Sequence, residues 1–416
     1  MTVPMTELLR VFGRIGILSF GGPAAQIALM HRELVDNKGW ISDREYLSAL
    51  SFCMLLPGPE AMQLATWAGW RLRGTAGGLV AGLLFVVPGA AVVLALAMAY
   101  AAWGDLPLVA ALFVGVKAVV VVVVIEALLR VARRALKGSG HWAIAVLAFL
   151  GLFLFDLPFP LIVMIAGAWG LLRAHGVGIA VPSVKQATPG QTLRTVTIWA
   201  AVWLLPLAGL IAHGGILADI GVFFSLLAVV TFGGAYAVLA WMTQAVVTDL
   251  GWLTLPQMID GLGLAETTPG PLILVTEFVA YLAAYGVGGV GLGVAGALVA
   301  LWVTFVPCFL WIFAAAPWLD RITANPRLAG ALAAITAAVV GIIANLSVWF
   351  AAHAVFGTVN LAHLGPISVI SPELNSLNLL AVMIALVAGW LVLVRHWPFP
   401  LVLVLAAGTS ATAMLL

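Results

Sequence analysis

"LSALSFCMLLPGPEAMQLATWAGWRLR", residues 47–73, is apolar for most of its length and is broken in the middle by Pro57, Gly58 and Pro59. Arg32, Lys38 and Arg44 precede it, and Arg71 and Arg73 lie at its far end. Lys and Arg collect in cytoplasmic loops, so both ends of the segment read as lying on one side of a membrane. Such a segment enters and turns back. The prolines remove helical donors and push the residues before them out of the α region, which supplies the turn. A half-helix of roughly 10–12 residues on each side reaches about 15–18 Å, half a bilayer. The stretch Leu8 to Leu34 reads the same way, broken at Gly21 and Gly22 within "SFGGPAAQ", residues 19–26. There the glycines end one half-helix and Pro23 suits the first turn of the next.

The rest of the chain supports a membrane reading. Of its 416 residues, 64% are hydrophobic and only 8% charged, against about 25% charged in ordinary soluble domains. Its mean hydropathy is +1.17. Runs such as Gly77 to Trp103 and Leu108 to Leu129 exceed the roughly 20 residues that cross about 30 Å of hydrocarbon as a helix. The net charge of +2 comes without any block of like charge, so no nucleic-acid partner is expected. Two cysteines, Cys53 and Cys308, form no disulfide framework and no CxxC signature. The N-terminal stretch carries Glu7 and lacks a small-residue cleavage site, so it reads as part of the first hairpin rather than a removable signal.

Sliding the sequence over itself by 212 residues matches 13 of the 43 positions from Leu18 to Glu60. "FGG", "GW" and "PGP" return in register at Phe232, Gly251 and Pro269, which marks an internal duplication. The loop His31 to Glu45 holds Arg32, Lys38 and Arg44, whereas its counterpart, Thr243 to Gln257, holds no Lys or Arg. Corresponding loops therefore face opposite sides and the duplication is inverted. The expected fold is an all-α integral membrane protein, an inverted-topology repeat whose broken, re-entrant helices meet near the bilayer midplane. Residues 1–172 form the first repeat, with two re-entrant hairpins plus four spanning helices. Residues 173–212 form a cytoplasmic linker and a connecting transmembrane helix, and 213–416 form the second repeat. Crossings are expected near 76–102, 108–130, 141–156, 158–172, 195–212, 291–315, 328–353, 375–394 and 398–416, with second-copy hairpins near 219–247 and 255–285. The stretch Ala354 to Leu374 reads as a long outside loop.

An interrupted helix in hydrocarbon exposes backbone groups that cost several kcal/mol each unless something satisfies them. Four breaks imply a shared polar centre. Second half-helices starting near Pro23, Pro59, Ala235 and Pro271 would aim their N-termini at it, each carrying free N–H groups and roughly half a positive charge. That is an anion site, and glycine lets an oxyanion approach the backbone. Inverted repeats with broken helices are also a recurring plan of secondary transporters.

These residues, "SFGGP", "GW", "LPGPEAMQLATWAGWRLRG", "TFGGAY" and "TPGP", resemble the long-chain form of the chromate ion transporter family over nearly the whole chain. The resemblance implies a multi-pass protein of the bacterial inner membrane that exports chromate and confers resistance, driven by the membrane potential or the proton gradient. It implies no enzyme activity. Sulfate, a tetrahedral dianion of similar shape, is the natural competitor. The second copy has Ala235 where the first has Pro23, so the halves need not contribute equally.

The substrate-binding candidates are Ser19, Gly21, Gly22, Pro23, Gln26, Pro57, Gly58, Pro59, Gln63, Lys117, Thr231, Gly233, Gly234, Thr268, Pro269, Gly270 and Pro271. Lys117 lies about 15 Å into its crossing, too deep to reach water easily; it either attracts the anion or forms a permanent ion pair. Glu126, four residues before Arg130, reads as that arginine's partner. Arg14 either reaches the centre or faces the cytoplasm. Glu60, Glu266 and Glu277 are candidates for proton coupling; Glu60 is equally a helix cap, and Glu266 and Glu277 have Met54 and Ala65 as their first-copy counterparts. Hydroxyls such as those of Thr66 and Thr267 either donate to oxyanion oxygens or bond their own backbone. The seven histidines show no metal spacing, so no metal and no cofactor are expected. The partners are the dianion and the bilayer, with a homodimer as a candidate assembly. The competing readings are a sulfate or other oxyanion transporter, a membrane-embedded enzyme using the glutamates, and a scaffold subunit.

Overall fold

The structure is a computed structural model that describes residues 3–20, 22–104, 106–155, 157–173, 188–232, 235–323, 325–364 and 367–415. Gly21, Gly233 and Gly234 lie outside the described residues, as does Lys185 of the linker.

The chain is a series of helices that start and stop where glycine, proline and capping residues dictate. In the first half they are α1 (Met5–Leu18), α2 (Gly22–His31), α3 (Asp43–Cys53), α4 (Glu60–Trp103), α5 (Pro107–Ala135), α6 (Ser139–Phe155) and α7 (Phe159–Arg173). Helix α8 (Pro189–His213) follows the linker. The second half contains α9 (Ile216–Val230), α10 (Ala235–Gln244), α11 (Leu255–Thr267), α12 (Val275–Ala315), α13 (Leu319–Thr323), α14 (Pro326–Val355), α15 (Leu379–Gly389) and α16 (Phe399–Leu415). Five described stretches are long and apolar enough to cross a membrane: 60–103, 107–135, 189–213, 272–322 and 326–355. This is a multi-span helical membrane protein.

Local devices recur at the 212-residue spacing. Each GW dipeptide ends a helix: Gly39 and Gly251 adopt φ of 58° and 61°. The N–H groups of Trp40 and Trp252 then donate to the carbonyls of Leu34 and Val246, both at 2.9 Å. Left-handed glycine is the usual way to stop a helix. Ser42 and Glu45 form a capping box at the start of α3, and Thr254 and Gln257 make the same reciprocal bonds at 2.9 and 3.5 Å.

Helices α4 and α12 each contain a reversal. In α4 it falls at Arg73 and Gly74, the latter with φ 62° and ψ −157°, and in α12 at Gly288 and Gly289, the latter with φ 72° and ψ −163°. Eight residues of straight helix span about 12 Å, yet the bare faces of Gly69 and Gly77 lie against each other's carbonyls. Likewise a Cβ on Gly296 would stand 2.7 Å from the carbonyl of Ala280. Both helices therefore fold back on themselves at glycine.

Two ion pairs join distant parts of the first half. Glu45 at the start of α3 meets Arg71 near the end of α4's first limb at 2.9 Å, although 26 residues of continuous helix would hold them about 39 Å apart. Glu7 meets Lys38 at 2.8 Å, closing the segment that contains α1 and α2.

The chain divides into two compact units that do not follow the sequence halves. The first is Met1–Ala101, Ala174–Val238 and Leu264–Ala329; the second is Ala102–Arg173, Leu239–Gly263 and Gly330–Leu416. In the first unit α12 packs along α9 and α8. In the second, α5 packs on α15 and α16 around Val119, Val122, Ile384 and Val402. There the hydroxyl of Ser410 accepts from Gly115 N–H at 3.0 Å and donates to the carbonyl of Ala111.

One local element departs from the loop expected there. Residues expected to form a plain outside loop contain an antiparallel strand pair, β1 (Val359–Leu364) and β2 (Ile367–Pro372), with Val359 opposite Pro372 and Leu364 opposite Ile367. Two short, mainly apolar runs flank the Gly365–Pro366 dipeptide, which is a turn signal.

Candidate functional site

All four breaks belong to the first unit, and they are joined across the two halves of the chain. Helix α1 ends at Leu18, and the Ser19 hydroxyl donates back to Ile15 O at 2.6 Å. Helix α9 ends at Val230, and the Thr231 hydroxyl donates back to Leu227 O at 2.5 Å. The backbone carbonyls that follow turn outward and are met from the other half. Gly270 N–H donates to Ser19 O at 2.9 Å, and Gly58 N–H donates to Thr231 O at 2.8 Å. Each FGG break is thus tied to the PGP break of the opposite copy.

Both PGP glycines need their missing side chain. Gly58 sits at φ 118° and Gly270 at φ 89°. A Cβ on Gly58 would stand 2.8 Å from Cys308 Sγ and 2.9 Å from Gln63 Nε2. On Gly270 it would stand 2.9 Å from Leu274 Cδ1 and 3.3 Å from Gly89 Cα. The N–H groups of these two glycines are spent on the protein's own carbonyls. The helix starts behind them are those of α2 at Gly22, α4 at Glu60, α10 at Ala235, and a short tight turn from Leu272 to Leu274 that leads into α12.

Side chains reinforce the ties. Gln26, 1% exposed, donates from Nε2 to Ser19 O at 3.2 Å and to Gly270 O at 2.6 Å. Gln63 Nε2 donates to Pro57 O at 2.7 Å. The two carbonyls facing Gln26 fix its amide orientation, because a flipped amide would set three oxygens together. Its Oε1, like that of Gln63, is buried without a hydrogen-bond partner among the described residues. The hydroxyls of Thr66 and Thr267 bond the carbonyls of Met62 and Leu264 in their own helices, and that of Thr268, just past α11, bonds the carbonyl of Ala265.

The charged candidates divide. Glu277, 1% exposed, stands in the first turn of α12, and its Oε2 has no hydrogen-bond partner among the described residues. Glu60 opens α4, and Glu266 lies on α11 two residues before Thr268. Arg14 is placed with the first loop: its side chain is 67% exposed and 3.9 Å from Glu33. Glu126 pairs with Arg130, as their spacing suggests. In the second unit, Lys117 Nζ lies 3.4 Å from Asp260 Oδ1. Among the described residues no group of His, Cys, Asp and Glu could hold a metal ion.

The model of the chromate transporter family matches residues 6–171 and 218–411. The chain belongs to the chromate transporter family. That family places it among membrane transporters rather than enzymes. It is 30% identical over 409 residues, 97% of this chain and 94% of the relative, to a probable chromate transport protein of Synechococcus elongatus. It is 32% identical over 402 residues, 93% of this chain and 92% of the relative, to the chromate transport protein of Pseudomonas aeruginosa. An uncharacterized transporter of Bacillus subtilis, YwrB, is 32% identical over 171 residues, which make up 40% of this chain and 86% of that protein. No solved structure matches the chain.

Sequence reasoning on this chromate transporter family member located the breaks but missed two things. It did not pair each break with its opposite-type partner. It also passed over Asp260, although "PQMIDGLGLA", residues 256–265, is a mainly apolar run with a single charge, the same signal that singled out Lys117.

Proposed function

We propose that this protein is a secondary-active exporter of chromate in the bacterial inner membrane, built from two inverted repeats whose hairpins are re-entrant. The observation that carries the reading is the reciprocal tie between FGG and PGP breaks, set beside membership in the chromate transporter family. Interrupted helices are costly in lipid, and four held together in one unit make sense where a polar solute must be received. The solute is bound by donors: the first turns of α2, α4 and α10 and the turn after Pro271 offer N–H groups to an oxyanion. Ser19, Gly21, Gly22, Pro23, Gln26, Pro57, Gly58, Pro59, Gln63, Thr231, Gly233, Gly234, Thr268, Pro269, Gly270 and Pro271 shape these ends, and Gly58 and Gly270 act by holding the breaks open. Lys117, which belongs to the second unit, is a cation able to attract a dianion, and Glu277 is the favoured carboxyl for proton coupling, because it is buried and its Oε2 has no hydrogen-bond partner among the described residues.

Sulfate or another tetrahedral oxyanion fits the same donors and is the second reading. Uptake of labelled chromate into inside-out vesicles tests both. The proposal expects saturable uptake that sulfate inhibits weakly and that slows when the potential or proton gradient is collapsed. Uptake of labelled sulfate in preference to chromate would reassign the substrate, and uptake of neither would end the oxyanion reading.

A further inference from the structure

We infer that Asp260 is an internal counter-ion that competes with the transported oxyanion for Lys117 and thereby sets how readily the anion is released. The inference rests on the reading above that Lys117 receives the anion. Both residues belong to the second unit. Lys117 is on α5 and Asp260 on α11, and the two helices meet closely: the bare face of Gly263 lies against Val116, the neighbour of Lys117. Gly263 is one helical turn beyond Asp260 and shares its face. On its other flank α5 is fixed by Ser410, which bonds Gly115 N–H. The pair is therefore held in place by backbone packing on both sides rather than by flexible stems.

The contact has the character of an exchangeable partner. At 3.4 Å and through one carboxylate oxygen, it is longer than the roughly 2.7–2.9 Å of a strong charge-assisted bond. The two side chains are also unequally covered: Asp260 is 5% exposed, whereas Lys117 keeps 24% of its surface open. A second anion can thus reach the ammonium without first moving the carboxylate. Two charges withdrawn from water recover little net energy from each other. A dianion arriving at Lys117 brings twice the attraction of a carboxylate and is repelled by Asp260 in the same step. Such a competitor weakens binding and speeds departure. The symmetry of the sequence does not explain Asp260, since the position 212 residues earlier is Ser48.

The test uses the full-length chain in inside-out vesicles with labelled chromate, and compares Asp260→Asn, Lys117→Met and the double variant. With the competitor removed, Asp260→Asn lowers the half-saturating chromate concentration about tenfold and lowers the maximal rate, because release slows. Lys117→Met and the double variant do not transport, although both are present and folded in the membrane. If Asp260→Asn leaves half-saturation unchanged or raises it while Lys117→Met is inactive, the inference fails and the reading of Lys117 stands. If the double variant transports like the native chain, the pair is only structural and the reading of Lys117 fails with it. Asp260→Ser repeats the measurement with a smaller neutral side chain should the asparagine variant not reach the membrane, and the same two outcomes decide it.

Discussion

The two PGP breaks have nearly the same backbone and different chemistry. Gly58 and Gly270 both take positive φ, and each gives its N–H to the carbonyl that ends the other half's FGG helix. The side chains around them do not correspond. The first half supplies carboxamides, Gln26 and Gln63, where the second has Val238 and Val275. The second half supplies carboxylates, Glu266 and Glu277, where the first has Met54 and Ala65. Even the packing partners differ, with Cys308 against Gly58 and Gly89 against Gly270. Backbone geometry is what a broken helix in lipid cannot do without, so it is kept in both copies. The side chains beside the two breaks differ at the 212-residue spacing.

The comparison breaks most severely at the shared backbone. Gly58→Leu and Gly270→Leu should each prevent correct folding, since a side chain at positive φ costs about 1–2 kcal/mol and overpacking adds about 1–3 kcal/mol. Membrane abundance and detergent melting would show it, with Gly151→Ala, whose Cβ would stand 3.2 Å from a flexible Leu157 methyl, as the mild control. One glycine tolerating leucine while the other does not would mean that the two breaks are not equivalent. Glu277→Gln should come next: gradient-driven transport is lost while exchange of labelled for unlabelled chromate continues. Unaltered gradient dependence would remove Glu277 from coupling.

Gln26→Val gives the first copy the second copy's residue. It takes donors from the carbonyls of Ser19 and Gly270, at about 1–3 kcal/mol, and should slow chromate uptake roughly tenfold if that energy is needed in the working state. The smallest effect lies in the first loop. His31 bonds Asp43 at 2.7 Å; that bond raises its pKa above the ordinary 6.5, burial opposes it, and Asp36 adds to the rise. The stabilisation is fully present below about pH 6.5 and is lost as pH rises through the raised value. Melting of the native chain should fall over that window and His31→Asn should not follow it. The counterpart, Thr243, carries no such dependence.

Much of this was legible before any coordinates. Proline and glycine inside apolar runs marked the breaks because they remove donors and side chains that a helix needs. The glycine reversals at Gly74 and Gly289 fall between the segments expected as hairpins and crossings. The cross-pairing was not legible, because Ser19 O and Gly270 N–H are backbone groups with no sequence signature and are brought together by packing 251 residues apart. Asp260 was missed because its meaning depends on Gly263 bringing α11 against α5. The strand pair at 359–372 was missed because the segment was read only for its place between crossings, as an outside loop.

The reciprocal ties also say how far each half depends on the other. Each half of this chain lends a backbone amide to a carbonyl at the other half's break. A polypeptide carrying one such half alone would have to meet a second molecule before its exposed peptide groups could be quenched.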